Sequence, residues 1–172
     1  MNDVGLRDCG EAEVWALQGW LDQWVGTTRW PPPGLTPGPA ARAGLIWADA
    51  PIQKVVVAGG RDIALCTLHD LDLFNLHATL SWLADPTSPA AGDGIAAFVA
   101  LALRSFPVRK LTFEVASDGA EGGALVSVPV HRVGRRPAHL RRDATRFADV
   151  DIYEVRRGDV AGVETAWEGR VG

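Results

Sequence analysis

Residues 82–97, WLADPTSPAAGDGIAA, contain the change of hydrophobic period that decides the fold. Just before them, residues 76–82 alternate apolar and polar side chains, which predicts a strand with one apolar and one polar face. Residues 85–94 are rich in proline, glycine and short polar side chains, which predicts a loop. Residues 95–106 are strongly apolar and long enough for a buried helix, which Pro107 ends.

The chain upstream of this stretch has the two-residue period of antiparallel strands. Residues 54–58 predict one strand and residues 63–73 predict a second. Between them, the sequence Gly-Gly-Arg-Asp at residues 59–62 is typical of a hairpin turn. With residues 76–82, these stretches predict three consecutive strands.

The N-terminal part predicts a short strand at residues 4–7 and a helix from residue 11 to about residue 24. Acidic side chains occupy the first turn of that helix, and apolar side chains recur at helical spacing. Its tryptophans predict either an aromatic core face or a wall of an apolar pocket. Five prolines among residues 31–39 exclude a helix or a paired strand there, so we expect a connecting loop within a single domain, residues 1–172.

The C-terminal part predicts a strand at residues 108–116 and a last strand at residues 149–156. Residues 121–128 predict a short helix, although the glycines and Pro129 weaken the helical pattern. The predicted order is therefore strand, helix, three strands, glycine loop, helix and further strands, which indicates an α/β (α+β) domain.

Composition and charge limit the classes of function. The formal net charge of −4 argues against a protein that seeks nucleic acid generally. Residues 1–103 carry a net charge of −6 and residues 104–172 a net charge of +2, so an anionic partner should bind the second half. Two cysteines, Cys9 and Cys66, are too few for a disulfide framework, and no spacing typical of metal ligands is present.

The sequence also indicates a location. The first 13 residues lack the basic and apolar regions of a signal peptide, and no apolar run reaches the roughly 20 residues of a membrane helix. We therefore expect a cytoplasmic protein without a membrane partner.

The order of elements and several motifs resemble the GCN5-related N-acetyltransferase (GNAT) family over most of the chain. Ala91-Gly92-Asp93-Gly94-Ile95-Ala96 falls where this family has its pyrophosphate loop, and residues 111–115 and 149–155 match two of its later strands. The branch that acetylates ribosomal-protein N-termini and small amines is the most similar. The resemblance implies a central mixed, mostly antiparallel sheet flanked by helices, and edge strands that can pair two copies into a homodimer.

The resemblance also implies how acetyl-CoA or another acyl-CoA would bind. Glycine allows backbone N–H groups to approach phosphate oxygens, and the N-terminus of the next helix favours negative charge. By this resemblance the backbone of Leu83 and Ala84 would polarise the thioester carbonyl group. The implied cofactor-binding residues are Leu83, Ala84, Gly92, Asp93, Gly94, Ile95, Ala96 and Asp118.

The sequence departs from the family at the positions that contact the donor. Ala91 stands where the family usually has arginine or glutamine, and Asp93 would repel a diphosphate. Asp118 or Gly119 stands where an asparagine is usual, and the tyrosine that protonates the leaving thiolate is missing, since the chain's one tyrosine is Tyr153.

Two side chains are candidates for the base that removes the amine proton. Glu114 lies at a position where some family members have such a base, and it shares a strand face with Thr112 and Ala116. A structural carboxylate paired with an arginine is the alternative. His77 lies on the polar face of the third predicted strand, where it could act as a base or could simply be solvated.

A basic run in the second half leaves four interpretations open. It could be a solvated hairpin, a contact for the 3′-phosphate of CoA, a contact for an acidic acceptor, or a contact for RNA such as tRNA. The arginines concerned are Arg132, Arg135, Arg136, Arg141, Arg142 and Arg146.

The sequence thus favours an N-acyltransferase that moves an acyl group from acyl-CoA to an amine of a small molecule or to a protein N-terminus. One alternative is a GNAT-fold transferase that takes its acyl group from aminoacyl-tRNA. The other is a binding or assembly module of the same fold without catalysis. No metal is expected in any of them.

Overall fold

The structure is a computed structural model, which describes residues 4–9, 24–28, 52–118 and 128–160. Most of these residues form one sheet of eight strands that packs against one long helix. The strands are β1 (Val4–Asp8), β2 (Val25–Gly26), β3 (Ile52–Ala58), β4 (Arg61–Asp72), β5 (His77–Ala84), β6 (Lys110–Ala116), β7 (His131–Arg141) and β8 (Phe147–Arg156), and the helix is α1 (Ala91–Ser105).

The sheet has the strand order β1-β3-β4-β5-β6-β8-β7, and β2 pairs with β5 outside this path. Among the described strands, only β5 and β6 pair in parallel, and the other pairings are antiparallel. A parallel contact needs a crossover, which α1 provides between β5 and β6. The prediction of a mixed, mostly antiparallel sheet flanked by helical structure is confirmed.

The three strands predicted between residues 54 and 82 form the centre of the sheet as β3, β4 and β5. Gly59 and Gly60 make the turn between β3 and β4 with φ of 57° and 74°. This left-handed region is accessible to glycine at no steric cost, which is why the Gly-Gly pair predicts the hairpin correctly.

Helix α1 starts four residues earlier than its apolar run. Because it begins at Ala91, Gly92, Asp93 and Gly94 form its first turn and are not part of a loop, which corrects the predicted boundary. Gly94 contacts the sheet so closely that a Cβ atom there would lie 2.0 Å from Cγ1 of Val56. The helix ends at Ser105, before extended Phe106, because Pro107 disfavours helical backbone in the residue that precedes it.

The core lies between α1 and the α1-facing side of the sheet. Side chains of α1 at helical spacing, including Ile95, Phe98 and Val99, are fully buried against the sheet. The rings of Trp82 and Phe113 pack edge to face with 4.9 Å between their centroids, and Phe113 stacks on Tyr153 with 5.4 Å between centroids. Aromatic pairs in these geometries add to the stability that burial already provides.

Two strands contain irregularities on the same side of the molecule. The pairing of β4 with β5 shifts register after His69, and Asp70 has a φ of 49°. The pairing of β7 with β8 shifts between Arg136 and Leu140, and Ala138 has a φ of 44°. Bulges of this kind redirect side chains and are frequent beside active sites.

Some predictions lie outside the described residues. The predicted helix from residue 11 and the proline-rich loop at residues 31–39 are not among the described residues. The same holds for residues 121–127 of the predicted short helix. Across the described ranges, no helix has the length and apolar character to cross a membrane.

Candidate active site

The candidate site begins where β5 and β6 separate. The two strands pair in parallel only from His77 to Thr79 and from Lys110 to Thr112. Beyond that point β5 continues to Ala84 and β6 to Ala116 without pairing to each other. The sheet therefore opens into a wedge near its centre.

The segment of residues 25–28 enters this wedge from the side of β5. Val25 pairs with Ala84, and Gly26 pairs with Leu83. The N–H group of Thr27 donates to the carbonyl oxygen of Trp82 at 3.1 Å. The N–H group of Thr28 reaches the other strand and donates to the carbonyl oxygen of Glu114 at 2.9 Å. The segment, called the strap below, thus joins both sides of the opening.

This pairing changes the interpretation of Leu83 and Ala84. Both were expected to present an open strand edge to a thioester, but the strap pairs with the backbone of both residues. One stretch of β5 pairs with the strap and another pairs with β6. Residues 80–81 lie between these two stretches, at the opening. The sequence could not reveal this pairing because it joins residues about 60 positions apart.

A cavity of about 380 Å³ lies at the opening. Its lining combines hydroxyl groups, two carboxylates and one imidazole with a few apolar atoms. The lining residues are Thr27, Thr28, Asp70, Thr79, Leu80, Glu114, His139 and Leu140.

Glu114, the predicted base, is one of these residues. Its side chain is 29% exposed, and its carboxylate forms an ion pair with Arg136, with 2.9 Å between Oε1 and Nη1. The hydroxyl group of Thr28 donates to Oε2 at 3.4 Å. The carboxylate therefore lies at the cavity and also has the arginine partner that the structural alternative predicts.

The two strand irregularities bring further polar side chains to the cavity. Asp70 follows the register shift in β4, and His139 follows Ala138 in the irregular part of β7. The N–H group of Ala138 donates to the Asp149 carboxylate at 2.9 Å, which holds this part of β7. Sequence reasoning missed Asp70 and His139 as site residues because a bulge leaves no clear mark on the two-residue period.

His77, the second predicted base, lies outside this cavity. It occupies the first position of β5, where the strands still pair, and its Nε2 is 3.3 Å from the hydroxyl oxygen of Thr112. The structure therefore does not bring His77 together with Glu114 at the opening, and His139 is the histidine that lines the cavity.

The predicted pyrophosphate residues lie at the start of α1. Residues Ile95 and Ala96 are buried in the core, so they can contribute only backbone groups. The first N–H groups of a helix lack intrahelical acceptors, and Gly92 lies among them. Exposed Asp93 stabilises the helix by its position in the first turn, yet the same negative charge opposes a bound diphosphate.

Asp118 has an intramolecular partner. Its carboxylate accepts a hydrogen bond from Arg142 at 2.7 Å, which lowers the pKa of the Asp118 carboxyl group. A role for Asp118 at a bound donor would have to accommodate this ion pair.

The arginine run lies on β7 and in the turn that joins it to β8. Its guanidinium groups lie against carboxylates or carbonyl groups of the same chain. Arg132 and Arg135 contact Asp151, Arg136 contacts Glu114, Arg142 contacts Asp118, Arg146 contacts Asp143, and Arg141 donates to the carbonyl oxygen of Asp143. The run is therefore not an unneutralised basic patch.

A second set of polar side chains is buried on strands β3, β4 and β5. The hydroxyl oxygen of Ser81 lies 2.6 Å from Nε2 of His69, and the amide of Gln53 donates to the Thr67 hydroxyl at 3.0 Å. All four side chains are buried, which suits cross-strand support of the sheet. In the described ranges, no three His, Cys, Asp or Glu side chains are grouped so that they could hold a metal ion.

No protein-family model and no curated protein sequence matches the chain. Solved structures do match. Spermidine N-acetyltransferase from Vibrio cholerae, solved in complex with CoA and spermine, superposes with a TM-score of 0.73 at 13% identity, over 91% of this chain and 97% of that one. Mycobacterium smegmatis RimJ, solved in complex with CoA-disulfide, superposes with a TM-score of 0.66 at 15% identity, over 97% of this chain and 90% of that one.

These overlaps span nearly the whole of each chain. Together with the order of elements and the separation of β5 from β6, they show that the protein has the fold of the GNAT superfamily, as its sequence predicts.

Proposed function

We propose that the protein is an N-acyltransferase that moves an acyl group from acyl-CoA to an amine. The observation that carries this proposal is the position of Glu114, whose carboxylate lines the cavity where the parallel strands separate. The similar solved structures support it, because the Vibrio cholerae protein is an N-acetyltransferase and was solved with CoA and an amine.

The reaction asks for a neutral amine next to a thioester. Glu114 would accept a proton from the bound ammonium group, and the free nitrogen would attack the thioester carbon. The C–N bond would form, giving a tetrahedral intermediate whose nitrogen still carries two protons. Its collapse would break the C–S bond, and the second nitrogen proton would pass through solvent to the leaving thiolate, so that the products are the amide and the thiol. A positioned base contributes about 10²- to 10⁴-fold to such a step.

The acceptor would occupy the cavity. Its volume of about 380 Å³ falls within the range of small-molecule sites. Carboxylate, imidazole and hydroxyl groups can all accept a hydrogen bond from an amine, and the lining provides all three types. A small amine or the first residue of a peptide would satisfy this lining.

The donor would approach from the start of α1. The N-terminal N–H groups of α1 and its helix dipole favour a pyrophosphate group, whereas Asp93 disfavours it. The strap covers the backbone of Leu83 and Ala84, so the donor would have to approach the cavity beside the strap or displace it. Acyl-CoA binding is expected to be weaker than an arginine- or glutamine-containing loop would provide.

The strap and Asp93 favour one alternative, a binding module without catalysis. The third possibility, a transferase that uses aminoacyl-tRNA, is weakened because the arginines of the basic run contact groups of the same chain. A homodimer is also proposed. It would bury exposed Val133 of the β7–β8 hairpin, and the spermidine N-acetyltransferase of Vibrio cholerae forms a dodecamer.

A calorimetric titration with acetyl-CoA, followed by an amine screen, tests the proposal. Micromolar to submillimolar binding with acyl transfer to at least one amine is the expected result. Binding without transfer would favour the binding module. The absence of both binding and transfer at millimolar acetyl-CoA would exclude a CoA-dependent enzyme. A short RNA would then be tested as the carrier of the acyl group.

A further inference from the structure

The carboxylate of Glu114 is held at both of its oxygen atoms. Nη1 of Arg136 lies 2.9 Å from Oε1, and the hydroxyl group of Thr28 lies 3.4 Å from Oε2. A backbone hydrogen bond from Thr28 to the carbonyl oxygen of Glu114 fixes the two residues relative to each other. The carboxylate therefore has a defined orientation before any ligand arrives.

The two partners come from different parts of the fold. Thr28 belongs to the strap, which is tied to β5 by the pairing of Val25 and Gly26. Arg136 pairs with Val150 at the last regular position of β7 before its irregular stretch. Each partner is thus placed by backbone hydrogen bonds, which position a side chain more precisely than a mobile loop does.

These contacts leave Glu114 able to act. An ionised carboxylate accepts about four hydrogen bonds, so two partners leave lone pairs for an ammonium group. Ordering a free glutamate side chain costs conformational entropy. When the side chain is already ordered, that cost is not incurred as the amine binds.

We propose that Arg136 and Thr28 are positioning residues that hold the Glu114 carboxylate towards the amine acceptor. This inference rests on the proposed function, and it gives a role to one arginine of the basic run and to the strap. Arg136 acts through Glu114 and does not itself contact the reacting atoms.

The chain offers a matched control for Arg136. Arg132 lies on the same strand, is 49% exposed where Arg136 is 48% exposed, and forms its ion pair with Asp151 and not with Glu114. Arg132→Gln therefore removes an equivalent charge and an equivalent ion pair without touching the candidate site. Thr28→Val removes a hydroxyl group at nearly constant shape, and Thr28→Ser retains the hydroxyl.

The first measurement is the binding of butylamine by calorimetry, without an acyl donor. Arg136→Gln is expected to weaken binding about tenfold, the scale of one hydrogen bond to a charged group. Arg132→Gln should leave the affinity for butylamine unchanged. Thr28→Ser should lower that affinity less than Thr28→Val does. Tighter binding by Arg136→Gln would overturn the proposal, because it would show that the guanidinium competes with the amine.

A double-mutant cycle with Glu114→Gln separates positioning from a structural role. If Arg136 acts through Glu114, Arg136→Gln should cost almost nothing further once the carboxylate is absent. An equal loss in both backgrounds would overturn the proposal, as would an equal loss in Arg132→Gln.

The same experiments distinguish the two proposals. Failure of the wild-type protein to bind butylamine and a wider set of amines at millimolar concentration would overturn both the amine acceptor and the positioning role. Amine binding that depends on Arg136 only when Glu114 is present, with no acyl transfer to any amine, would overturn the proposed enzymatic function alone.

Discussion

Gly94 illustrates how a glycine that suggests a binding motif can also be needed for packing. An added Cβ atom would lie 2.0 Å from Cγ1 and 3.0 Å from Cβ of buried Val56. Since real contacts of a Cβ atom essentially never fall below 3.0 Å, the helix, the strand or the Val56 side chain would have to shift. The glycine is required where α1 crosses β3, whether or not a phosphate group binds nearby.

Gly94→Ala is therefore expected to lower the free energy of unfolding by about 1–3 kcal/mol, as other overpacking substitutions do. Urea denaturation checks this. Gly5→Ala is the control, because no atom lies within 4 Å of the added Cβ atom in β1. Equal stability of the two variants would show that Gly94 is not a packing requirement.

Glu114 is the second residue with a direct prediction. Glu114→Gln keeps the shape of the side chain but cannot accept the amine proton, so kcat/KM is expected to fall about 10²- to 10⁴-fold. The melting temperature should change little, because the lost ion pair with Arg136 is partly exposed. Initial rates with acetyl-CoA and an amine measure the effect, and retained activity would show that another group removes the proton.

Sequence reasoning at the level of single residues succeeded where a residue type determines the local backbone. The glycines of the β3–β4 turn and the proline after α1 are such cases. It found Glu114 by family resemblance, but it could not find Asp70 or His139. Their places at the cavity depend on two bulges and on pairing between distant strands.

At the scale of elements, β7 buries little apolar surface and contacts β8 through ion pairs as well as through its backbone. Most residues of β7 are exposed, and two of its arginines contact Asp151 of β8. The hydrogen bond from Arg135 is the main cause that lowers the pKa of the Asp151 carboxyl group, and Arg132 adds to it. The arginine run thus forms part of the fold.

This contact predicts a pH dependence of stability. A carboxyl group whose pKa is lowered by folding stabilises the protein above its unfolded pKa, about 3.9 for aspartate. That contribution is lost as the pH falls through the lower folded value. Asp151→Asn should therefore lower stability at pH 7 and reduce the difference in urea midpoint between pH 7 and pH 3. An unchanged pH dependence, compared with Asp8→Asn as the control, would contradict this interpretation.

The strap makes a separate prediction at the same scale. Thr27→Pro removes the N–H group that donates to the carbonyl oxygen of Trp82, so the pairing of residues 25–26 with β5 should weaken. The amide group of Ala84, which faces the strap as the backbone of Trp82 does, should then exchange faster with deuterium, as hydrogen exchange followed by NMR can measure. The amide group of Leu83 faces β4 and should keep its exchange rate. Unchanged exchange at Ala84 would show that the strap does not protect this edge.

The elements themselves were mostly predictable. β3, β4, β5, β6 and β8 follow the period of two, and α1 follows from its apolar run. The length of β7 was not predictable, because its many arginines interrupt the apolar pattern of a strand. Arginines of β7 form ion pairs with carboxylates of β6 and β8. The separation of β5 from β6 could be expected only from the family resemblance.

At the scale of the whole molecule, the strands in the described part of the chain give the sheet two unequal ends. β1 is a short strand at one end, and β7, with Pro137 and a bulge, is a longer one at the other. Proline and a bulge discourage continuous pairing along an edge, so a homodimer should be held by side chains of the hairpin. Val133→Lys is expected to reduce dimer formation in light scattering, and an unaffected dimer would place the interface elsewhere.

The wedge at the centre of the sheet has a consequence for how the protein folds. The strap, β5, β6 and β7 contribute to one cavity, although the bond between Thr28 and Glu114 alone spans 86 positions of the chain. Contacts between such distant residues close large loops and slow the search for the native state. Amine binding should therefore return late during refolding, after the β3–β4 hairpin, and the cavity would report the completion of folding.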